Sequence, residues 1–277
     1  MAFDPKYQQH IPLGKSTQYS FEYDPSLLFP IARSAGRDKI GLQQNIPFSG
    51  YDRWTAFELS WLDAQGKPKV AVAEFDFAAT APNIIESKSF KLYLNSFNQT
   101  QFADESLLLQ CLGEDLSAAS GAEVVVRLFA VNDYPRAAHL SSYHRLDDLE
   151  VACSSYQTDA NLLAVESASE KKLQRYCFDA FRSLCPVTAQ PDWASVYIDF
   201  HGAKLDNASL LQYLVSYRNH QGFHEQCVEQ IFMDLLHMDS TAKISVYARF
   251  LRRGGLDINP IRHNMPTPPE MTLIDRQ

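Results

Sequence analysis

Residues 54–77 of the chain read WTAFELSWLDAQGKPKVAVAEFDF, and this stretch decides the fold class. Residues 54–62 alternate between apolar and polar side chains, which is the pattern of a half-buried strand. Residues 63–67 supply a turn, and the apolar run at 70–77 predicts a second strand. The stretch therefore predicts a β-hairpin.

The hairpin begins an order of elements that occurs twice in the chain: a pair of strands, a pair of helices and a single strand. A helical stretch begins near Ser87, a helix is predicted at 104–119 with Leu107, Leu108, Cys111, Leu112 and Leu116 on one face, and a strand at 123–131. In the second half, residues 173–185 fit either a helix or a strand. They precede a strand at 195–200, helices at 208–218 and 224–237, and a strand at 243–251. This repeat predicts an α+β protein of two similar modules, each an antiparallel sheet with helices on one face.

The module boundary is expected in the mixed polar region at 133–170, which divides the chain into residues 1–150 and 151–277. Residues 1 to 50 are rich in turn formers and predict a loop-rich arm. The length of 277 residues suits one large domain or two of ordinary size.

Composition limits the classes of function. Lys and Arg number 25 against 33 Asp and Glu, so the net charge of −8 disfavours direct binding to nucleic acid. No apolar run approaches the roughly 20 residues that span a bilayer, and no targeting signal follows Met1. A cytoplasmic protein is expected. The five cysteines include no C-x-x-C pair, so a disulfide framework is not predicted.

Several familiar nucleotide- and metal-binding motifs are absent or incomplete in this sequence. Residues 14–17 (GKST) resemble the end of a P-loop, but Gln9 stands where the earlier glycine is needed. No G-x-G-x-x-G occurs, which excludes a Rossmann pyrophosphate turn. His224 and Cys227 are spaced like zinc ligands and could combine with Cys185, although Cys227 also fits the core face of its helix.

Taken alone, the remaining candidates are ambiguous. Residues 86–93 (ESKSFKLY) pack an acid, hydroxyls and two lysines into a helix start, which is typical of a solvated first turn. Cys185 fits a buried thiol, and Asp192 fits a turn or a helix cap. His224 and Glu225 fit the first turn of an ordinary helix.

Five motifs taken together are more specific. The octet 86–93 is followed by LNSFNQT at 94–100, SLCPVTAQPDW at 183–193, FHEQCVE at 223–229, and YAR at 247–249 with RRGGLDINP at 252–260. This series resembles the 7-cyano-7-deazaguanine reductases, the QueF family, from about residue 14 to residue 260. One mild departure is Pro186, where an aliphatic residue is more usual. The resemblance implies two tandem tunnelling-fold (T-fold) modules, with the site where they meet.

The resemblance also implies a reaction, in which NADPH reduces a nitrile to a primary amine for queuosine biosynthesis. Cys185 matches the nucleophile that forms a thioimidate, and Asp192 matches the proton donor. The substrate contacts that it implies are Ile85, Glu86, Ser87, His224 and Glu225. The cofactor contacts that it implies are Ser87, Lys88, Arg253 and Gly254, with Lys91, Arg249 and Arg252 as further candidates.

The implied partners are a small deazapurine, two NADPH per turnover and a second copy of the chain in a homodimer. No metal, nucleic acid or membrane partner is expected. Three other functions stay open at this stage: a thiol hydrolase of nitriles, a binding protein without catalysis, and a zinc-dependent relative of the GTP cyclohydrolases.

Overall fold

The structure is a computed structural model that describes residues 22–42, 45–135, 137, 142–166 and 171–277. The motif at 14–17 and most of the N-terminal arm lie outside the described residues. Within the arm, residues 22–42 carry a three-residue strand, a helical turn of four residues and two 3₁₀ turns, joined by short loops.

The strands are β1 (Pro30–Ala32), β2 (Ser49–Leu62), β3 (Pro68–Ala78), β4 (Asn83–Ile85), β5 (Val124–Phe129), β6 (His144–Arg145), β7 (Lys172–Leu184), β8 (Pro191–Gly202), β9 (Lys243–Phe250) and β10 (Leu256–His263). The helices are α1 (Ser34–Arg37), α2 (Ser87–Ser96), α3 (Glu105–Ser120), α4 (Asn207–Ser216) and α5 (His224–Met238). No helix in the described ranges is long and apolar enough to cross a membrane.

One sheet joins both halves of the chain. Its strand order is β5-β3-β2-β10-β9-β8-β7-β6, and each pairing is antiparallel apart from β6 with β7. Strands β2 and β10 pair from Ser49↔His263 to Ala56↔Leu256 and connect the halves. The α+β class is confirmed.

The structure also corrects the predicted elements. Residues 173–185, left open between helix and strand, belong to β7, which pairs with β8 along its length. Strand β10 was not predicted, although its pairing with β2 joins the two halves of the sheet. Leu107 is 47% exposed, and the buried stripe of α3 consists of Leu108, Leu112 and Leu116.

The two helix pairs are held by matching contacts. In α2 and α3, the Tyr93 hydroxyl donates to Asp115, and in α4 and α5 the Tyr213 hydroxyl donates to Asp234, each at 2.6 Å. Both first helices carry an acidic N-cap and two serines that bond to backbone carbonyls. These are Glu86, Ser89 and Ser96 in α2, and Asp206, Ser209 and Ser216 in α4. The repeated order of elements thus extends to individual side chains.

Both helix pairs cover the same face of the sheet. Trp54 pairs with Ile258 and packs in the core under α2 and α3, while Val246 pairs with Arg262 and packs under α4 and α5. Ile258 and Arg262 are four residues apart on β10 and so point to the same face. The candidate site therefore lies on this face of the sheet, where the two helix pairs meet over β2 and β10.

Candidate active site at the junction of the two halves

A cleft opens on the helix face where the two halves meet. It holds about 560 Å³ of empty space, the open solvent at its mouth included. Its walls come from β2, β10, the start of α2, the β7–β8 turn and the start of α5. The predicted residues that line it are Ile85, Ser87, Cys185, Asp192, His224, Glu225 and Arg253.

Cys185 stands in the tight turn between β7 and β8. Its N–H donates to the Gln190 carbonyl, and its own carbonyl accepts from Ala189, both at 2.9 Å. Ala189 adopts φ +55, a left-handed conformation that a residue with a Cβ rarely takes. The preceding Leu184 is bonded to His220 and Gly222. Cys185 is only 4% exposed, and its turn is held by hydrogen bonds on both sides.

Asp192 lies across the same turn, at the start of β8, and is buried. One carboxylate oxygen is 2.8 Å from Arg253 Nη2, and the other is 3.4 Å from His224 Nε2. The His224 ring stacks on Phe250 at 3.7 Å, with its Nδ1 at 3.3 Å from the Ile258 carbonyl oxygen. The imidazole is thus fixed in plane and direction beside the acid.

The two predicted recognition acids differ in their surroundings. Glu225 lines the cleft, and burial, followed by the charge of Asp52, raises its pKa to about 7. Glu86 is the N-cap of α2, and its two carboxylate oxygens accept from the N–H groups of Lys88 and Ser89 at 2.8 Å. Burial raises the pKa of Glu86. Glu86 is 1% exposed, so it caps the helix from a buried position and not from a solvated first turn.

Cationic side chains gather at one rim of the cleft. Lys91 lines it together with Arg253, and burial, followed by the charge of Arg253, lowers the pKa of Lys91. Gly254 adjoins them in a turn with φ +60, where a Cβ would lie 3.6 Å from Lys91 Cδ. Two crowded like charges beside an exposed glycine fit an anionic group such as a phosphate.

The other candidate arginines lie elsewhere. Arg249 points to the opposite face of the sheet, where its Nε donates to Gln277 at 2.6 Å. Arg252 stacks over the Phe57 ring at 3.8 Å, outside the cleft. Cys227 is buried in the core, as one interpretation of its helix predicted. Among the described residues, no group of three or more His, Cys, Asp or Glu side chains could hold a metal ion.

Sequence reasoning did not identify the apolar walls of the cleft. These walls are formed by Trp54, Ile84, Phe223, Leu251, Leu256 and Ile258. Trp54 and Ile258 are cross-strand partners in the β2–β10 pair, which only the tertiary structure brings together. An aromatic ring and aliphatic side chains above a buried carboxylate suit a flat heterocycle with polar edges.

Comparisons with known proteins identify the family of this chain. The family model described as "Nitrile reductase, 7-cyano-7-deazaguanine-reductase N-term" matches residues 19–128, and "QueF-like protein" matches residues 191–268. An NADPH-dependent 7-cyano-7-deazaguanine reductase of Burkholderia multivorans is 49% identical over 264 residues, covering 94% of this chain and 96% of the relative. A protein of the same name in Burkholderia pseudomallei is 48% identical over the same shares. The chain belongs to the 7-cyano-7-deazaguanine reductase (QueF) family of nitrile reductases.

Proposed function

We propose that this chain reduces the nitrile of 7-cyano-7-deazaguanine to the primary amine of 7-aminomethyl-7-deazaguanine with NADPH, as a step of queuosine biosynthesis. The observation that carries the proposal is the meeting of Cys185, Asp192 and Glu225 in one cleft between the halves. These three groups supply a nucleophile, a proton carrier and a recognition carboxyl.

Cys185 is the covalent nucleophile. Its sulfur adds to the nitrile carbon, so that an S–C bond forms, one π bond of the nitrile breaks, and a thioimidate results. The proton lost by the thiol passes through Asp192 to the nitrile nitrogen, and no electrons are transferred in this step. The ion pair with Arg253 and the nearby His224 ring hold the Asp192 carboxyl against the turn that carries Cys185.

Glu225 recognises the deazaguanine ring. The ring N–H and exocyclic amine of a guanine-like edge are donors, which an ionised carboxylate accepts in pairs. A site built on such a partner discriminates strongly against analogues that lack the donors. His224 and the backbone of Ile85 and Ser87 complete the contacts, while Glu86 acts at the base of α2, whose first turn it caps.

The cationic rim holds the cofactor. NADPH supplies the hydride for each of two successive reductions of one nitrile. Ser87, Arg253 and Gly254 bind it at this rim, where Lys91 adds charge. Lys88, the next residue after Ser87 in α2, is a further contact. The apolar walls exclude water from the imine between the two reductions, because imines hydrolyse to aldehydes.

The test is the mass of the intact protein mixed with 7-cyano-7-deazaguanine in the absence of NADPH. The expected result is an adduct of the full ligand mass that Cys185→Ala abolishes and NADPH discharges. Cys177→Ala is the matched control, since Cys177 is also buried but lies on the opposite face of the sheet. A bound ligand without any adduct would contradict the covalent route and favour a binding protein.

We also propose that residues 1–150 and 151–277 are two T-fold modules and that the chain acts as a cytoplasmic homodimer. Support comes from the matching contacts of the helix pairs and from β5, an edge strand of the sheet whose Val125 is 48% exposed. Open edges favour pairing with another chain. Light scattering should give at least twice the chain mass of 31.4 kDa, and a monomeric mass would contradict the assembly.

A further inference from the structure

Behind the cleft, five charged side chains form a buried cluster that the reaction does not use. Arg33 and Arg37 come from the segment around α1, Asp52 from β2, Glu229 from α5 and Arg262 from β10. Each is at most 7% exposed. Buried charges are costly unless they are paired, and apolar side chains in their place are often at least as stable. The cluster therefore points to a role other than stability.

The contacts run in a chain across the junction. Arg33 Nη2 donates to Asp52 Oδ2 at 2.5 Å, and Arg262 Nη1 lies 2.7 Å from Asp52 Oδ1. Arg262 and Arg37 then both donate to Glu229, at 2.9 Å and 2.7 Å. Burial alone would raise the pKa of Asp52 and of Glu229, but the neighbouring arginines hold both below their usual values.

The cluster carries an unbalanced charge. Three guanidinium groups face two carboxylates, which leaves one positive charge. Glu225 lies four residues before Glu229, on the same face of α5. If Glu225 is ionised, the six buried groups together are neutral.

Arg33 is the least fully paired of the three arginines. Arg37 and Arg262 each donate two hydrogen bonds to Glu229. Arg33 bonds closely to one carboxylate, Asp52, and more weakly to the Ala78 carbonyl at 3.5 Å. It lies 3.9 Å from Glu229, and its buried Nε has no hydrogen-bond partner among the described residues. Burial and Asp52 raise the pKa of Glu225, whereas His224 and, after it, Arg33 act in the opposite direction.

We propose that this cluster sets the charge of the Glu225 carboxyl, and that Arg33 is the positioning residue that keeps Glu225 ionised for recognition of the substrate. The inference rests on the proposed function of Glu225. The charged and titratable groups around Glu225 are His224, Cys227 and Glu229 on its own helix, Arg33, Asp52 and Arg262 in the cluster, and Cys185, Lys91, Asp192 and Arg253 across the cleft.

The test measures the dissociation constant of 7-cyano-7-deazaguanine against pH, by calorimetry on the full-length Cys185→Ala protein so that no covalent step intervenes. The parent protein should lose affinity as the pH falls through about 7, because Glu225 then gains a proton. Arg33→Met should move this midpoint up by about one pH unit, and Asp52→Asn should move it down by about one. A merely structural role would weaken binding in both variants at every pH.

Controls keep the outcomes separate. Arg37→Met removes an equally buried arginine that donates to Glu229 and the Ala79 carbonyl and lies over the Phe48 ring. It should move the midpoint less than Arg33→Met, because Arg37 is already paired with Glu229 through two hydrogen bonds. Arg33→Lys keeps the charge and should retain the parent midpoint. If Arg33→Met fails to fold, the downward shift in Asp52→Asn is the test. Unmoved midpoints in folded Arg33→Met or Asp52→Asn would overturn the inference. Unchanged affinity in Glu225→Gln would instead refute the recognition role itself.

Discussion

The stacked pair of His224 and Phe250 offers a graded test of how the site is organised. The two rings are 3.7 Å apart and only 3° from parallel, and Phe250 is fully buried at the end of β9. Replacing Phe250 with Leu keeps an apolar side chain but removes the flat surface under the imidazole. Aromatic pairs contribute about 0.5–1.5 kcal/mol beyond their burial. If this energy holds His224 in place for the reaction, its loss lowers kcat/KM by roughly 2- to 13-fold.

The assay is the rate of NADPH oxidation with 7-cyano-7-deazaguanine, from which kcat and KM are obtained. Phe181→Leu is the matched control, because the Phe181 ring is buried in the same core, 6.3 Å from Phe250, without being stacked on His224. Thermal unfolding should report similar losses of stability in both variants. If kcat/KM falls equally in both, the stacking does not position His224.

Three further outcomes are expected. Asp192→Asn should slow formation of the adduct by about 10²- to 10⁴-fold while the ligand still binds, as seen by time-resolved mass spectrometry. Phe90→Ala should lower the free energy of unfolding by about 3–5 kcal/mol in urea titrations, because Phe90 is fully buried among aromatic rings, whereas Leu107→Ala on the exposed side of α3 should change it by less than about 0.5 kcal/mol. Burial lowers the pKa of His220 from 6.5 to about 4, so the unfolded chain takes up a proton first and stability should fall as the pH drops through this window. His220→Gln should flatten that part of the stability curve, and an unchanged slope would show that His220 is not its source.

Local patterns in the sequence determined most of the elements. The alternation at 54–62 and the period of the helices at 104–119 and 224–237 depend on neighbouring residues alone, and the structure has elements at these places. The five motifs likewise identified the family, because each is a run of consecutive residues. The site residues themselves remain predictions, although most of them line one cleft.

The sequence alone also left clear gaps. Residues 173–185 could not be assigned, since an apolar run fits either a helix or a strand until its partner strand is known. The same limit hid β10, whose strand character depends on pairing with β2 and β9, far away in the chain. Leu107 was misplaced because the periodic pattern does not mark the edge of the buried stripe.

Tertiary structure decided which charges meet. Nothing near Arg253 in the sequence indicates an ion pair with Asp192, and nothing near Arg33 indicates a carboxylate partner on β2. Charge pairing and burial depend on distances through space between elements that are distant in sequence. The sequence by itself therefore determined the elements and the family, and the tertiary structure decided how the charges around Glu225 are arranged.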